Sequence, residues 1–364
     1  MKLISGCIAT LLLGAMLSGT VMAEPYIAVR TGLKCMECHT NMTGGGMRTP
    51  YANQIAQTDI SRNFIKTSDE INYWTGEINQ WLSIGGDLRT DYQYIDIPNE
   101  DSVSEFDVEE GLLYLAVNLI PDRLIFYVDE QVAPGGAENR EIFGLFKALG
   151  GKVYAKAGQF FLPYGWRLQD DTAFIRQVPG ITFATPDKGV EVGLETGPWS
   201  AQLAITNGTA GGPDDDTGNQ YSLLGIYVKN RWRVGASFNF NDADIGDRQM
   251  QNVFFGLRTG PVSWLAQVDY IRDDSLAGPE RKQWVGLIEG NWWFTKGNNL
   301  KLTYEFFDPD DDVSEDEQTR WSGVWNFFPF QFTETRLGIR LYDGIPQDNK
   351  QNRDEFFAEL HLYF

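Results

Sequence analysis

From Gln80 to Phe364 the chain repeats one pattern: about ten residues alternating apolar and polar, then a turn signal. Successive side chains of a β-strand point to opposite faces, so each segment is a ribbon with one apolar and one polar side. In Arg231–Asn241, Trp232, Val234, Ala236, Phe238 and Phe240 share one face, while Arg231, Arg233, Ser237 and Asn239 share the other. Pro261–Ile271 repeats this with Val262, Trp264, Ala266, Val268 and Tyr270, and Gly111–Leu119 with Leu113, Leu115, Val117 and Leu119. A soluble sandwich packs its apolar faces together. Here charged residues recur on the other face, which therefore lines a polar interior. That is the requirement of a transmembrane β-barrel, apolar outside and polar inside.

The segments fall at 80–95, 106–120, 123–131, 139–148, 151–160, 187–197, 199–208, 219–229, 231–241, 249–259, 261–272, 282–295, 299–308, 317–327, 330–342 and 353–364. Sixteen antiparallel strands is the even count expected of a bacterial barrel. Every second connection is very short: Pro121-Asp122, Leu149-Gly150, Gly197-Pro198, Asn230, Gly260, Gly297-Asn298 and Pro329. The others, such as 209–218 and 309–316, are longer and rich in Asp, Asn, Gly and Pro. Short periplasmic turns alternating with longer outer loops follow if both ends of the barrel face the periplasm. The last strand turns Phe356, Ala358, Leu360, Leu362 and Phe364 outward, and its aromatic end resembles the signal read by the barrel-assembly machinery. No segment after residue 23 has the ~18 apolar residues of a membrane-spanning helix.

Residues 1–79 carry different information. Met1–Ala23 reads as a signal peptide: Lys2, an apolar Ile8–Leu17, and Val21-Met22-Ala23 before a cut at Glu24. Cys7 leaves with it. The remaining cysteines stand in Cys35-Met36-Glu37-Cys38-His39, the single C-x-x-C-H of the chain. That spacing puts two thiols one helical turn apart, able to bond the two vinyl groups of one porphyrin, with the next histidine under the iron. One covalent haem c is therefore predicted, anchored by Cys35 and Cys38 and ligated by His39. A disulfide or a metal-binding pair competes with this reading; the abutting histidine and the export signal both count against it.

Residues 24–79 are too few to bury a haem alone, and Met42-Thr43-Gly44-Gly45-Gly46-Met47 is too glycine-rich to be a good helix. A helix is predicted over Thr49–Thr58. The barrel is expected to supply the missing wall, with residues 24–65 plugging the lumen from the periplasmic end. A ~16-strand barrel otherwise leaves a water-filled channel. The domain expectation is thus signal 1–23, monohaem segment 24–79 and barrel 80–364. The sixth iron ligand is open between Met47, favoured, Met42, His361 and water. Counting back from Phe364 places Glu359, His361 and Tyr363 on the lumen face, and His361 is equally an ordinary lumen histidine. A thioether ligand would raise the potential relative to two histidines.

With 30 Lys+Arg against 50 Asp+Glu, the chain carries a net charge of −20. No nucleic-acid binding through phosphates is expected, and cations are attracted instead. Acidic residues gather at Asp214-Asp215-Asp216, at Asp242, Asp244 and Asp247, and at Asp308, Asp310-Asp311-Asp312 and Glu315-Asp316-Glu317. They read as solvated loops, bridged by divalent ions to lipopolysaccharide, or as a steering surface for a cationic donor; none has EF-hand spacing. The longest connection, 161–186, carries Trp166, Arg167, Asp170, Asp171, Phe174 and Arg176 and folds either into the pore or outward as a lid.

The N-terminal stretch Ala28-Val29-Arg30-Thr31-Gly32-Leu33-Lys34-Cys35-Met36-Glu37-Cys38-His39, then Tyr51-Ala52-Asn53-Gln54, followed by a barrel, resembles the fused monohaem cytochrome–porins of the bacterial outer membrane. Thr43–Met47 is an insertion relative to that pattern. Gly158-Gln159-Phe160-Phe161-Leu162-Pro163-Tyr164-Gly165 more loosely resembles phosphate-selective porins. The first resemblance implies one-electron transfer, of the Fe(II)-oxidising type, between an extracellular donor or acceptor and periplasmic cytochromes. The partners it implies are those cytochromes or multihaem proteins, with membrane lipid and lipopolysaccharide around the barrel. The alternative is a diffusion porin of anion or phosphate type with a structural or redox-sensing haem plug, or the porin of a multihaem conduit. Electron direction and oligomeric state are not set by the sequence.

Overall fold

The computed structural model describes residues 24–65, 73–214 and 216–364; the predicted signal peptide lies outside the described residues. Sixteen strands form the wall: β2 (Leu82–Asp96), β3 (Val103–Ile120), β4 (Leu124–Ala133), β5 (Glu138–Ala148), β6 (Val153–Phe160), β7 (Asp187–Thr196), β8 (Trp199–Thr206), β9 (Gln220–Lys229), β10 (Trp232–Ala243), β11 (Gly246–Thr259), β12 (Val262–Asp274), β13 (Arg281–Thr295), β14 (Asn298–Asp308), β15 (Gln318–Phe327), β16 (Thr333–Asp343) and β17 (Asp354–Tyr363). Each pairs antiparallel with the next, and β17 pairs with β2, Phe356 opposite Tyr94 and Leu362 opposite Leu88. The sheet therefore closes into the all-β barrel that the alternation predicts. A short β1 (Glu77–Asn79), not foreseen, adds to β2. Strand ends agree with the sequence reading to within about three residues. The acidic connection expected around 242–248 shrinks to the turn Asp244-Ile245, because β10 and β11 stay paired through Ala243 and Gly246.

The two faces separate as the pattern requires. Leu113, Val253 and Ile288 are more than half exposed on the outside. Trp199, Tyr227, Trp232 and Trp292 mark the short-turn end of the apolar belt, and Tyr270 against Trp284 and Tyr304 against Trp321 mark the other. On β13, Trp284 and Trp292 are eight residues apart, roughly 26 Å along the strand, the scale of the ~25 Å apolar band of outer-membrane barrels. Inside, charges are buried and must be paired, since an isolated buried ion is costly. Lys156 meets Glu191 at 3.1 Å, and Glu359 takes Arg89 at 2.7 Å and Arg336 at 2.9 Å.

The 161–186 connection folds inward. Leu162, Tyr164, Trp166, Leu168, Ile175 and Phe183 are buried, an apolar set that an outward lid would expose. Its polar groups bond the inner wall. The Tyr164 hydroxyl donates to Asp269 at 2.9 Å, the Trp166 backbone N–H to Gln267 at 2.6 Å and the Trp166 indole to the Ala266 carbonyl at 3.1 Å. Asp170 is clamped between Arg320 at 3.1 Å and Arg340 at 3.4 Å. Asp170→Asn would remove the charge that Arg320 and Arg340 share, leaving Arg320 to Glu305 and Arg340 to Glu355, at a cost of about 1 kcal/mol. The expected result is a higher single-channel conductance in planar bilayers than the parent shows; equal conductances would mean that the loop does not depend on this clamp.

Candidate functional site

The segment preceding the barrel packs against its inner wall at the short-turn end. It begins with α1 (Pro25–Thr31), started by proline and ended by Gly32 in a left-handed conformation, φ +77°. Next comes α2 (Cys35–Cys38), a single turn that Glu37 stabilises by accepting the Lys34 N–H at 2.6 Å. Then Thr40 N donates to the Met47 carbonyl and Thr49 N to the Cys38 carbonyl, closing 38–49 into a loop whose tip is Gly44, Gly45 and Gly46, all at positive φ. Glycine is needed at Gly46 on two counts: a side chain there would be strained, and it would collide with the Tyr127 hydroxyl. The helix predicted over 49–58 appears as α3 (Pro50–Ile55), capped by the Thr49 hydroxyl, running into a wider turn over Ala56–Ile60.

Lumen side chains fasten this segment along its length. Lys301 reaches Glu24 at 2.6 Å, Arg233 the Leu33 carbonyl at 2.8 Å, Lys34 Glu195 at 3.0 Å and Asn41 Glu141 at 2.8 Å. The Tyr127 hydroxyl accepts from Met47 N at 2.9 Å, Arg167 donates to the Gly44 carbonyl at 2.6 Å, and Arg48 pairs with Asp87 at 3.4 Å. Sequence reasoning missed these partners. Period-two parity told that Arg233 faces inward, but nothing local told what it would meet 200 residues earlier in the chain.

Between segment, wall and inward loop lies a cavity of about 1550 Å³, solvent-open space included. Its lining includes Cys35, Cys38, His39 and Met42, apolar Tyr26, Ile55, Trp166 and Phe328, and at one end Arg89, Glu334 and His361. Both thiols are free. Burial pushes the Cys35 thiol up, and burial with Cys35 and Glu37 nearby pushes Cys38 up to about 11. A reactive redox CxxC has its thiolate stabilised instead, so this pair is not built as one. Burial, aided by the Arg48 charge, pushes His39 down to about 4, leaving it neutral, the form that ligates metals. Its buried Nδ1 makes no hydrogen bond. Two protonated thiols and a neutral imidazole at one wall of a large cavity fit a covalently held porphyrin.

The sixth-ligand candidates are placed differently. Met42 lines the cavity. Met47, buried too, is not among the lining residues and lies toward Gly85 of β2. His361 reaches the polar end, but both ring nitrogens are engaged, Nε2 with Asp87 at 2.5 Å and Nδ1 with Glu334 at 3.2 Å. The acidic residues Asp310, Asp311 and Asp312 stand together far from these groups, on the β14–β15 connection.

No protein-family model and no curated protein matches the sequence. Solved outer-membrane porins match the fold. OmpT of Vibrio cholerae lacking loop L8 superposes with a TM-score of 0.62 at 12% identity, covering 78% of this chain and 99% of its own. OprB of Pseudomonas putida gives 0.64 at 8%, covering 78% and 94%. An anion-selective porin from Comamonas acidovorans gives 0.57 at 9%, covering 78% and 99%. The barrel is thus of the bacterial outer-membrane porin type; at such identities the likeness speaks for the fold alone.

The raised thiols have a measurable consequence. Below its pKa a thiol gains thiolate tenfold per pH unit, and thiolate is the nucleophile. In haem-free folded protein, maleimide labelling of Cys38 should be slow at pH 7 and accelerate steadily toward pH 11. A plateau already at about pH 9 to 10 would show an unperturbed thiol.

Proposed function

We propose that this chain is an outer-membrane electron-transfer barrel in which the Cys35–His39 turn holds one haem c. The observation that supports the reading is the joint placement of two free thiols and a neutral imidazole, its Nδ1 without a hydrogen bond, on one wall of a cavity inside a porin-type barrel. Cys35 and Cys38 would hold the porphyrin through thioethers and His39 would ligate the iron. When bound, the haem supplies a one-electron couple. Of the three side chains considered as a second iron ligand, Met42 would be the one to hold the group, because it lines the cavity and carries no hydrogen-bond obligation.

The rest of the chain excludes water and sets the access routes. Trp166, Phe254 and Phe328 give the cavity an apolar lining, which favours the less charged state of a redox centre. The inward loop stands between the cavity and the long-loop mouth. One-electron partners are then an extracellular donor or acceptor, Fe(II) included, and a periplasmic cytochrome. The second reading is a diffusion porin whose segment 24–65 is a structural or redox-sensing plug. The likeness to porins favours it; the inward loop and the fastened segment weigh against free solute passage.

The deciding test uses the full chain matured with covalent haem. Reduction of the haem bands on mixing with Fe(II), together with negligible solute flux in liposomes, is expected. Flux of small anions with no reduction by any small donor would leave the second reading. For the axial position, Met42→Ala should change the visible spectrum, while Met47→Ala and His361→Ala should not.

A further inference from the structure

The charge of the barrel is unevenly divided between its two mouths. The chain is strongly acidic overall, and neither 207–219 nor 309–317, on the long-loop side, contains a lysine or arginine. The short-turn mouth is the reverse along one arc. Lys152 stands at the β5–β6 turn. Lys34 lies over the β7–β8 turn, donating to the Trp199 carbonyl at 2.7 Å. Lys229 and Arg231 flank the β9–β10 turn, Arg258 precedes the β11–β12 turn, and Lys296 stands at the β13–β14 turn. Five successive turns thus each present a cation, and Lys152, Lys229, Arg231, Arg258 and Lys296 are exposed.

This arc borders the Cys35–His39 turn. Gly32 rests on the Asn230 carbonyl, Arg258 donates to the Arg30 carbonyl at 2.9 Å, and Lys296 donates to the Thr58 carbonyl at 2.5 Å. Arg258 and Lys296 thereby lean over the segment, away from the lipid outside. Among the described residues before β2 the exposed acids are Glu37, folded back onto its own helix start, Asp59, and Glu77 on β1. Glu195 is buried beneath Lys34. The remaining rim differs: the β15–β16 turn is Phe328-Pro329-Phe330-Gln331-Phe332, with Phe64 against Phe330, and the β3–β4 turn offsets Arg123 with Asp122. The cavity reaches the surface here, through exposed Thr31 and half-buried Cys38.

We propose that this cationic arc is the docking surface for a soluble one-electron protein with an acidic face, which is thereby held over the Cys38 edge of the cavity. The inference rests on the electron-transfer reading above and names the chemistry of the partner on the short-turn side. A concentrated patch of one sign steers an oppositely charged partner and raises its association rate by ten- to a thousandfold at low salt. The arc also selects. A basic carrier is repelled from this mouth but attracted to the acidic one, so the two sides of the barrel recruit opposite classes of partner.

The experiment uses the haem-loaded full chain in nanodiscs of zwitterionic lipid, with reduced plant-type ferredoxin as acidic probe and mitochondrial cytochrome c as basic control. The variant is Lys229→Glu with Arg231→Glu, two exposed turn residues outside the cavity lining; Lys152→Glu is a second, independent variant. Ferredoxin should bind at low salt, weaken at least tenfold between about 50 and 200 mM salt, and weaken at least tenfold in the double variant. Equal binding by parent and variants would overturn the proposal. So would variants that lose only affinity for nanodiscs enriched in anionic lipid, since the arc would then be a headgroup contact. The haem spectrum separates the two readings. Charge-dependent binding without electron exchange sinks the electron-transfer reading and leaves the docking surface. Exchange indifferent to charge reversal does the opposite.

Discussion

Everything in this molecule depends on the pairing of β17 with β2. In hydrocarbon no water is available to satisfy a free backbone N–H or carbonyl, and each such group costs several kcal/mol. An open sheet edge is therefore excluded from the apolar band, and closure makes the ring the only form in which these strands can stand in lipid. Closure in turn dictates the side chains. The outward positions must be apolar, and the lumen receives every polar residue the alternation supplies. The interior wall is consequently crowded with charge: Asp87, Glu110, Asp129, Glu191, Glu305, Arg89, Arg320 and Arg336 are all buried on it.

A lumen so charged shapes what fills it. The N-terminal segment has little regular structure, one-turn and two-turn helices joined by glycines, and could not hold itself. It is fixed by ion pairs and backbone carbonyls offered to wall arginines and lysines. The inward loop follows the same rule with Asp170. Their apolar residues, Tyr26, Val29, Leu162, Trp166 and Ile175, pack with inward-facing wall residues such as Leu112, Tyr127, Phe254 and Leu265 into one buried apolar cluster. The cavity is what remains between them, lined by their apolar residues and by Leu224, Ile226, Val228 and Phe254 of the wall.

The strands were legible in the sequence because period-two patterning is local and each one declares its own faces. Phe356 through Phe364 gave both parity and end point, and the parity correctly turned His361 inward. The Cys35–His39 motif was legible because its chemistry lies within five residues. The partners of Arg48, Arg167 and Arg233 were not, since each contact joins residues brought together only by closing a ring of sixteen strands. The direction of the 161–186 loop was undecidable for the same reason. Its apolar residues suit a lumen site only if another segment is already there to pack against. The two-residue turn at Asp244-Ile245 was misjudged because three aspartates in six residues read as loop, whereas cross-strand pairing with β11 kept them in register.

The inward loop also bears on how one centre could serve two sides of a membrane. The cavity lies at the short-turn end, and the apolar band is ~25 Å tall, too wide for a partner resting on the outer rim to be close. The loop shortens that separation: Gly165, Trp166 and Arg167 belong to the long-loop side by connection, yet they line the cavity itself. A small donor entering the outer vestibule would meet the loop as a floor, with the Trp166 indole tilted against Phe254, ring centroids 4.8 Å apart, lining the cavity beneath. On the electron-transfer reading proposed above, the segment that narrows the tube would also shorten the path of an electron. On the same reading, a floor of that kind would be thick enough to keep water from the centre and thin enough that a donor inside the vestibule is near.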